Sequence, residues 1–353
     1  MSDVTSYNIE KLVSLIETAE KIAVVSHMKP DGDALGSCLG MSSYLKACGK
    51  EYVKIVLPNR APSYLNFLVD KDIAGDMLIH DDKPYLAEAA IKESDLIICL
   101  DFNAFHRTDA LEQILSESKV AKILIDHHLN PDREKFSLSF SETEISSASE
   151  LVYQILLCTP LIDGDAARLP EACATALMTG MTTDTNNFAN SVYPSTLRMA
   201  SDLIETGIDR AFILSNLYNQ YSETRMRLMG HVLKDLMTIT SDGVAYIVLD
   251  KKVLQDYHIE EGDTEGFVNL PLSMAKVKMS LLLKEDGDKV RVSIRSKKGV
   301  SANRCSRLHF NGGGHENAAG GRLYIPRDIA RIEDAAQYIE THTHTFITEE
   351  NEE

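Results

Sequence analysis

The sequence lacks several features that would assign it to a familiar class at once. Its six cysteines are at least ten positions apart and form no CxxC pair, so we interpret them as core thiols rather than disulfides or zinc ligands. No apolar run approaches the roughly 18 residues of a membrane span, and the opening MSDVTSYNIEKL lacks the basic flank and apolar core of a signal peptide. Neither a GxxxxGK(S/T) loop nor a GxSxG elbow is present. We therefore expect a cytoplasmic protein without a membrane partner.

The chain also lacks an excess of positive charge. It has 36 Lys and Arg against 53 Asp and Glu, a formal net charge of −17. Because affinity for long nucleic acid comes largely from Lys and Arg that face phosphates, this balance argues against a binder of long duplex. The stretch from Lys289 to His315 nevertheless has seven Lys or Arg and no Asp or Glu. A small or short anionic ligand agrees with this asymmetry.

The length of 353 residues, with 44% apolar residues, indicates two packed domains. In the first half, short apolar runs alternate with helical patterns, which predicts a parallel α/β sheet. The helix after Asp33 is expected to end before Gly49, and an Ala-rich buried helix is expected over Pro170–Met181. The predicted strands are residues 22–25, 52–57, 96–100 and 123–125.

The pattern changes after residue 207. We expect a polar linker over 208–222, a helix over 223–236, and then strands over 245–249, 278–283 and 290–295, which together are typical of an α+β domain. The acidic tail over 348–353 is predicted to be disordered. The predicted domains are therefore residues 1–207 and 223–347.

Ionisable residues follow the predicted strands of the first domain, at the edge where ligands bind in open α/β sheets. Taken singly, Asp33 could be a helix N-cap, Asp31 with Gly32 an ordinary turn, and His127 or His128 a hydrogen-bonded core histidine. The residues at this edge are His27, Asp31, Asp33, Asp101, Asp126, His127, His128 and Asp184.

Taken together, these residues predict a metal site. Several carboxylates in one crevice repel one another and would have raised pKa values unless cations compensate them. Four of these Asp and two of the His suit two divalent ions, because the four positive charges of the ions balance the four carboxylates. Imidazole and carboxylate without thiolate favour Mn²⁺, with Co²⁺, Fe²⁺ or Mg²⁺ as substitutes. Two such ions about 3.5 to 4 Å apart can deprotonate a shared water and hold a phosphate for in-line displacement.

The second domain contains a candidate phosphate site. Gly312, Gly313 and Gly314 can bring backbone N–H groups close to an anion, although a triple glycine alone is better explained by a plain turn. Arg295, at the end of a predicted strand, offers a planar fork for phosphate, and His315 can donate to the same group or to a sugar. Asn317 either contacts the ligand or closes the loop. Lys297, Lys298, Arg304 and Arg307 are interpreted as a solvated face.

These motifs resemble the DHH phosphoesterases, a superfamily named for the triplet that here is Asp126-His127-His128. The segment VRVSIRSKKGVSANRCSRLHFNGGGHENAAGG is similar to the type 1 DHH-associated domain with its GGGH loop, and the resemblance covers about residues 10–345. It implies a parallel-sheet catalytic domain, a smaller α+β substrate-binding domain and an active site in the cleft between them. Length and domain content resemble the stand-alone oligoribonucleases that also dephosphorylate pAp (3′-phosphoadenosine 5′-phosphate).

The resemblance also implies roles for individual residues. Asp126 would orient a histidine, and His128 would stabilise or protonate the leaving oxygen. Arg107 would face a phosphate, with a solvated surface arginine as the alternative. In the implied metal set, His27 and Asp31 hold one ion, Asp33 and His127 hold the other, Asp101 bridges them, and Asp184 completes the set.

The expected function is therefore that of a Mn²⁺-dependent phosphoesterase which removes mononucleotides from very short RNA and hydrolyses pAp. A phosphodiesterase of linear or cyclic dinucleotides would use the same residues. A nucleotide-binding or regulatory protein without turnover is the alternative of another class, and the intact set of six ligands argues against it. The sequence leaves open whether the protein forms a homodimer.

Overall fold

A computed structural model of the chain describes residues 3–219, 222–259 and 262–350. The chain divides into two compact units, residues 1–220 and 221–353. The four buried cysteines and the half-buried Cys48 agree with the interpretation as core thiols, whereas Cys158 is exposed. Among the described helices, none is both long enough and apolar enough to cross a membrane.

The first unit contains nine labelled helices and six strands within its described residues. The helices are α1 (Ser6–Thr18), α2 (Gly32–Ala47), α3 (Lys71–Asp76), α4 (Pro84–Glu93), α5 (Glu112–Glu117), α6 (Ala148–Leu157), α7 (Glu171–Asp184), α8 (Pro194–Glu205) and α9 (Arg210–Tyr218). The strands are β1 (Lys21–Val25), β2 (Tyr52–Leu57), β3 (Met77–Ile79), β4 (Leu96–Leu100), β5 (Ala121–Asp126) and β6 (Leu138–Ser141).

The six strands form one parallel sheet in the order β3-β2-β1-β4-β5-β6. This confirms the predicted fold class. All five residues of β4 are buried, as are four of the five in β1, which explains why these strands read as continuous apolar runs. The edge strands β3 and β6 have only three and four residues and were not predicted.

The order in which the chain adds strands to the sheet changes direction between β1 and β4. From β1 it continues to β2 and β3 on one side, and it then returns to β4 on the other side of β1. In open α/β sheets, ligands bind beyond the carboxyl ends of the strands at such a switch point. The residues after β1 and β4 therefore lie where a binding site is expected.

Glycines bring helices α2 and α7 into close contact. A Cβ atom on Gly36 would lie 2.6 Å from the carbonyl oxygen of Ala176 and 2.9 Å from Cα of Gly180. A Cβ on Gly32 or Gly40 would likewise meet side chains of α7 at 2.5 Å or less. Since only glycine permits this approach, the N-terminus of α2 and the C-terminus of α7 are held side by side.

Two predictions about the chain's organisation need correction. The predicted linker over 208–222 contains helix α9, because Ile213 and Leu217, one helical turn apart, are both buried in the core of the first unit. The predicted disordered tail begins inside a helix that continues to Glu350, while residues 351–353 lie outside the described residues.

The second unit has a mixed sheet in the order β11-β12-β10-β9-β8-β7, which confirms the predicted α+β class. The small residues of β11 and β12 explain why these strands were not predicted. The strands are β7 (Thr238–Ile239), β8 (Val244–Leu249), β9 (Met279–Asp286), β10 (Lys289–Ser296), β11 (Gly313–His315) and β12 (Ala318–Tyr324). The helices are α10 (Glu223–His231), α11 (Lys251–Asp256), α12 (Ala302–His309) and α13 (Ala335–Glu350).

Candidate metal centre

The centre is built around Asp101, which directly follows β4. Its backbone φ of 63° lies in the left-handed region, which is uncommon for a residue other than glycine and occurs preferentially at functional sites. The side chain is buried, with a residue exposure of 2%. Asp101 therefore combines a constrained backbone with a carboxylate removed from solvent.

The two oxygens of Asp101 face two different histidines. Oδ2 lies 3.3 Å from Nε2 of His27, and Oδ1 lies 3.3 Å from Nε2 of His127. His27 follows β1 and His127 follows β5, and these two strands flank β4 in the sheet. Asp101 is thus placed between two imidazoles, as the resemblance implies for a bridging ligand.

The remaining predicted ligands complete two sets around Asp101. Asp31 joins His27 and Asp101 in one set, and Asp33 joins His127 and Asp101 in the other, with the ligand atoms of each set within 4.8 Å of one another. Nε2 of His127 also lies 3.9 Å from Oδ2 of Asp33 and 3.6 Å from Oδ2 of Asp184. The structure therefore brings together all six predicted ligands.

Asp31, not Asp33, caps helix α2. Its Oδ1 atom accepts hydrogen bonds from the backbone N–H groups of Asp33 and Ala34, and Asp33 lies within the first turn. The alternative in which Asp33 is the N-cap is therefore wrong. With its N-cap role taken by Asp31, the side chain of Asp33 is directed to other partners.

Backbone amides at the start of α6 anchor Asp33. Its Oδ2 accepts a 2.7 Å hydrogen bond from the N–H of Ala148, and its Oδ1 a 2.9 Å hydrogen bond from that of Ser149. Gly180 leaves room for this carboxylate, since a Cβ there would lie 3.0 Å from Oδ1 of Asp33. Sequence reasoning missed Ala148 and Ser149, because backbone donors leave no signature in residue type.

The buried carboxylate of Glu150 fixes the residues at the start of α6. Oε2 of the fully buried Glu150 accepts hydrogen bonds from the hydroxyls of Ser146, at 2.5 Å, and Thr196, at 2.7 Å. It also accepts the N–H of Ser146, while Ser147 accepts the N–H of Glu150 as the N-cap. This network fixes the loop that presents the two amides to Asp33.

The electrostatics of the centre require positive charge. Burial alone would raise the pKa of Asp101, but the imidazoles of His127 and His27 hold it well below its usual range. Burial alone would lower the pKa of His27, but Asp101 raises it to about 9. Burial, reinforced by the charge of Asp101, raises the pKa of Asp33 well above its usual range. Without a cation, this group of side chains has to retain protons.

The donor atoms fit a divalent metal centre. They are imidazole nitrogens and carboxylate oxygens only, which is a set suited to Mn²⁺ and similar ions. Oδ1 of Asp101 is buried and makes no aligned hydrogen bond with a described residue. Nδ1 of His27 lies 2.8 Å from the carbonyl oxygen of Met28, so an Nδ1–H donated there leaves the Nε2 lone pair for a metal.

His128 lies beside this centre and is paired with Asp126. Nδ1 of His128 is 2.7 Å from Oδ1 of Asp126 and 3.7 Å from Oδ1 of Asp101. Asp126 is fully buried at the end of β5. This contact agrees with the implied role of Asp126 in orienting a histidine, and it identifies that histidine as His128.

Arg107 interacts with the segment that carries His27 in two ways. Its carbonyl oxygen accepts the N–H of Met28, the residue after His27, at 2.7 Å. The positive charge of Arg107 acts to lower the pKa of His27, against the larger effect of Asp101 that raises it. Arg107 therefore lies within electrostatic reach of His27.

In the second unit, strand register relates Arg295 to His315. Arg295 of β10 is opposite Ala318 of β12, and Ala318 is opposite His315 of β11. Directly opposite residues on antiparallel strands share a face of the sheet, so Arg295 and His315 flank the small Ala318 on one face. Their placement agrees with a shared anion site.

The structure gives the three glycines and Asn317 of this segment structural roles. The N–H of Gly312 donates to the carbonyl oxygen of Ser306, so it is not presented to an anion. A Cβ on Gly312 or Gly314 would lie within 2.6 Å of β12 backbone oxygens, so these glycines allow β11 to pair with β12. Gly313 is in the same short strand. The amide of Asn317 donates to Ser296 and to two carbonyl oxygens of the 297–300 loop, which it closes.

Comparison with known proteins places the chain in a family. Residues 21–181 match the DHH family, N-terminal domain, and residues 241–341 match the DHHA1 domain. A curated relative from Thermus thermophilus, a bifunctional oligoribonuclease and PAP phosphatase NrnA, is 30% identical over 304 residues, 86% of this chain and 84% of the relative. The chain belongs to the DHH family. The resemblance drawn from its motifs is thereby confirmed.

Two further proteins are similar to this DHH-family chain. A crystal structure of an exopolyphosphatase-related protein from Bacteroides fragilis matches it with a TM-score of 0.89 and 37% identity, covering 98% of each chain. The cyclic-di-AMP phosphodiesterase GdpP of Geobacillus thermodenitrificans is 27% identical over 317 residues, which is 88% of this chain and 46% of that protein.

Proposed function

We propose that this DHH-family protein is a cytoplasmic, metal-dependent phosphoesterase that hydrolyses short oligoribonucleotides to mononucleotides and pAp to AMP. The observation that carries the proposal is the position of Asp101, whose two oxygens face His27 and His127 at 3.3 Å each. The name of the Thermus thermophilus relative, an oligoribonuclease and PAP phosphatase, supports the substrate class.

The chain's own residues would hold two ions, most favourably Mn²⁺. His27 and Asp31 belong to one set, Asp33, His127 and Asp184 to the other, and Asp101 to both. When bound, such ions act as Lewis acids on a phosphate and lower the pKa of bound water. The amides of Ala148 and Ser149 keep the carboxylate of Asp33 in place for this task.

His128 is proposed to serve the leaving oxygen. Because its Nδ1–H donates to Asp126, the protonated imidazole retains Nε2–H as the donor for a substrate. The hydrogen bond to Asp126 fixes the orientation of the ring. His128 thus transfers a proton from Nε2 to the departing sugar oxygen.

Arg295 and His315 are proposed to bind a phosphate of the substrate other than the scissile one. They share one face of the second sheet on either side of Ala318, and a guanidinium fork recognises phosphate bidentately. Since the net charge of the chain is −17, a long strand gains little from the rest of the surface. The enzyme should therefore prefer dimers to pentamers over 24-mers.

The proposal is tested with purified protein and Mn²⁺ against pAp, RNA from dimers to 24-mers, linear and cyclic dinucleotides, and pyrophosphate. Competition between labelled 3-mer and 24-mer RNA measures the length preference. Arg295→Ala should chiefly raise KM, by roughly 10- to 150-fold for the loss of one charge-assisted contact. Equal kcat/KM for both lengths, or an unaltered Arg295→Ala enzyme, would refute the role of the second unit.

Hydrolysis of linear or cyclic dinucleotides is the second candidate function. It is favoured by the similarity to GdpP, named a cyclic-di-AMP phosphodiesterase. The same panel of substrates separates the two, because the kcat/KM for a cyclic dinucleotide would then exceed that for pAp and for RNA trimers. Absence of turnover on every substrate with every metal would instead support a nucleotide-binding regulatory protein.

A further inference from the structure

Asp184 differs from the other carboxylates that face His127 in how it is held. Its side chain is 33% exposed, compared with 2% for Asp33 and 3% for Asp101. The carboxylate of Asp33 accepts two backbone N–H groups, whereas that of Asp184 makes no hydrogen bond with a described residue. The position of Asp184 therefore depends mainly on how its backbone is fixed.

The backbone of Asp184 is fixed by the cap of α7, of which Asp184 is the last residue. The N–H of Asn187 donates to the carbonyl oxygen of Thr182 at 2.8 Å. The N–H of Asn186 donates to the carbonyl oxygen of Thr183 at 3.0 Å. With Asn186 at a φ of 47°, these two bonds form a Schellman motif, which satisfies carbonyl groups in the last turn of a helix. The motif keeps the end of α7 from fraying at Asp184.

The chain stays in the left-handed region for two residues more than this motif requires. Asn186, Asn187 and Phe188 have φ angles of 47°, 54° and 67°, and none of them is glycine. Residues other than glycine visit this region singly, and a bulky side chain such as that of Phe188 is rare there. We call residues 186–188 the left-handed turn. Such strain persists only where surrounding contacts hold it, and it occurs preferentially at functional sites.

Arg210 contacts the two additional residues of the left-handed turn. Its Nη2 donates a 2.7 Å hydrogen bond to Oδ1 of Asn187, and its guanidinium carbon lies 5.5 Å from the ring centroid of Phe188. A planar guanidinium can donate hydrogen bonds and interact with an aromatic ring at once, so one side chain serves both contacts. Arg210 is the first residue of α9, where a positive charge opposes the helix dipole. The turn, rather than α9, therefore explains an arginine at this position.

We infer that Arg210 is a positioning residue, which holds the left-handed turn and through it keeps Asp184 directed at the ion of the His127 set. This inference rests on the proposed two-ion centre, to which it assigns a supporting residue. Oδ2 of Asp184 lies 3.6 Å from Nε2 of His127, so a small movement at the end of α7 would take this carboxylate away from the set. The other set, which contains His27 and Asp31, has no member on α7 and does not depend on Arg210.

The first measurement is a calorimetric titration of the full chain with Mn²⁺. In Arg210→Ala, one of the two equivalents should bind about 10-fold more weakly, the lower end of the range for groups that support metal ligands, while the other keeps its Kd. Asn187→Ala removes the same hydrogen bond without changing the charge of the chain, and it should weaken the same equivalent. Arg168→Ala is the matched control, because it removes an arginine of the same unit whose partners are the surface residues Asp163 and Asp165. It should leave both Kd values unchanged.

Hydrogen exchange in EDTA gives a readout independent of the metal. The amides of Asn186 and Asn187 should exchange about 10-fold faster in Arg210→Ala, as for the loss of one charged hydrogen bond, and at the wild-type rate in Arg168→Ala. Unchanged exchange in Arg210→Ala would refute its hold on the turn, and faster exchange with unchanged Mn²⁺ binding would refute its role toward Asp184. A wild type that binds no Mn²⁺ would overturn the proposed metal centre instead, and the exchange data would still decide whether Arg210 holds the turn.

Discussion

Nδ1 of His128 lies 2.7 Å from Oδ1 of Asp126, two residues earlier in the chain. Asp126 is fully buried, so the carboxylate has a fixed position against the ring. In the proposed mechanism the other nitrogen, Nε2, serves the substrate, which separates His128 in role from its neighbour His127, whose Nε2 faces three carboxylates.

His128→Ala should lower kcat by about 10² to 10⁴, the range for a positioned proton donor, with metal binding retained. His127→Ala should lose metal affinity, because it removes a ligand. Steady-state kinetics together with calorimetric titration of Mn²⁺ distinguishes the two variants. Equal loss of metal in both would contradict this division of roles.

Removal of the metal should abolish hydrolysis, and Mn²⁺ should restore it better than Zn²⁺. Asp101→Ala should be the most damaging single change, because its two oxygens face both histidines of the centre. Mn²⁺ should raise the Tm of the wild type by binding the native state, and it should not raise that of Asp101→Ala. Full turnover in excess EDTA, or an active Asp101→Ala enzyme, would refute the two-ion centre.

Thr196→Val should weaken Mn²⁺ binding by about 10-fold, the lower end of the range for groups that support metal ligands. The hydroxyl of Thr196 donates to Glu150, whose network positions the two amides that hold Asp33. Calorimetric titration of Mn²⁺ measures the effect directly.

Tyr153→Phe is the matched control for Thr196→Val. The hydroxyl of Tyr153 donates to Asp202 at 2.7 Å, so this variant also removes one hydrogen bond between α6 and α8 but none that reaches Asp33. Both variants should lower Tm, Thr196→Val by more because Oγ1 of Thr196 also accepts the N–H of Tyr193, while only Thr196→Val should change the Kd for Mn²⁺. If the two Kd values change equally, Glu150 and Thr196 are merely structural.

Gly36→Ala should lower the free energy of unfolding by about 1 to 3 kcal/mol, the usual cost of overpacking. The added Cβ would lie 2.6 Å from the carbonyl oxygen of Ala176, so α2 and α7 would have to separate. Gly230→Ala, in α10, meets nothing within 4 Å and should stabilise by about 0.5 to 1 kcal/mol through helix propensity. Urea denaturation of both variants checks the opposite signs.

Asp76 should make stability depend on pH in the acid range. Partial burial would raise its pKa, but Lys46 and Lys54, each 2.6 Å from one carboxylate oxygen, lower it. A lowered pKa in the folded state contributes stability above the unfolded pKa of about 4, and that stability is lost as pH falls through the folded pKa.

Asp76→Asn should accordingly reduce the free energy of unfolding by about 1 kcal/mol at pH 7. The difference from the wild type should shrink below about pH 4, where the wild-type carboxyl becomes protonated. Urea denaturation at pH 7, 5 and 3 measures it. A difference that is the same at pH 3 as at pH 7 would show that the two ion pairs do not stabilise the fold.

The central strands and the ligand set could be predicted from the sequence for a common reason. Strands β1 and β4 end on apolar residues and β5 is apolar over residues 123–125, so an ionisable residue within two positions of the end of such a run marks the carboxyl edge of the sheet. His27, Asp101 and Asp126 mark the carboxyl ends of these three strands. No tertiary information is needed for this step.

The parts that could not be predicted depend on contacts distant in sequence or on backbone groups. The amides of Ala148 and Ser149 reach Asp33 across more than a hundred residues and through atoms that every residue type except proline possesses. Strand β12 is rich in Ala and Gly, so its pairing with β10 overrides a weak local preference for strand. Asn317 could be assigned to its loop only when the position of the 297–300 carbonyl oxygens was known.

The 115-residue separation between Asp33 and Ala148 has a consequence for the order in which the protein matures during synthesis. The set of His27, Asp31 and Asp101 is present in the nascent chain once residue 101 has emerged, whereas the set of Asp33, His127 and Asp184 needs residue 184. Domains are synthesised from the N-terminus, and distant pairings form last. In the proposed two-ion centre, the second ligand set therefore cannot be complete before residue 184 has been synthesised, whereas the first set needs only residue 101.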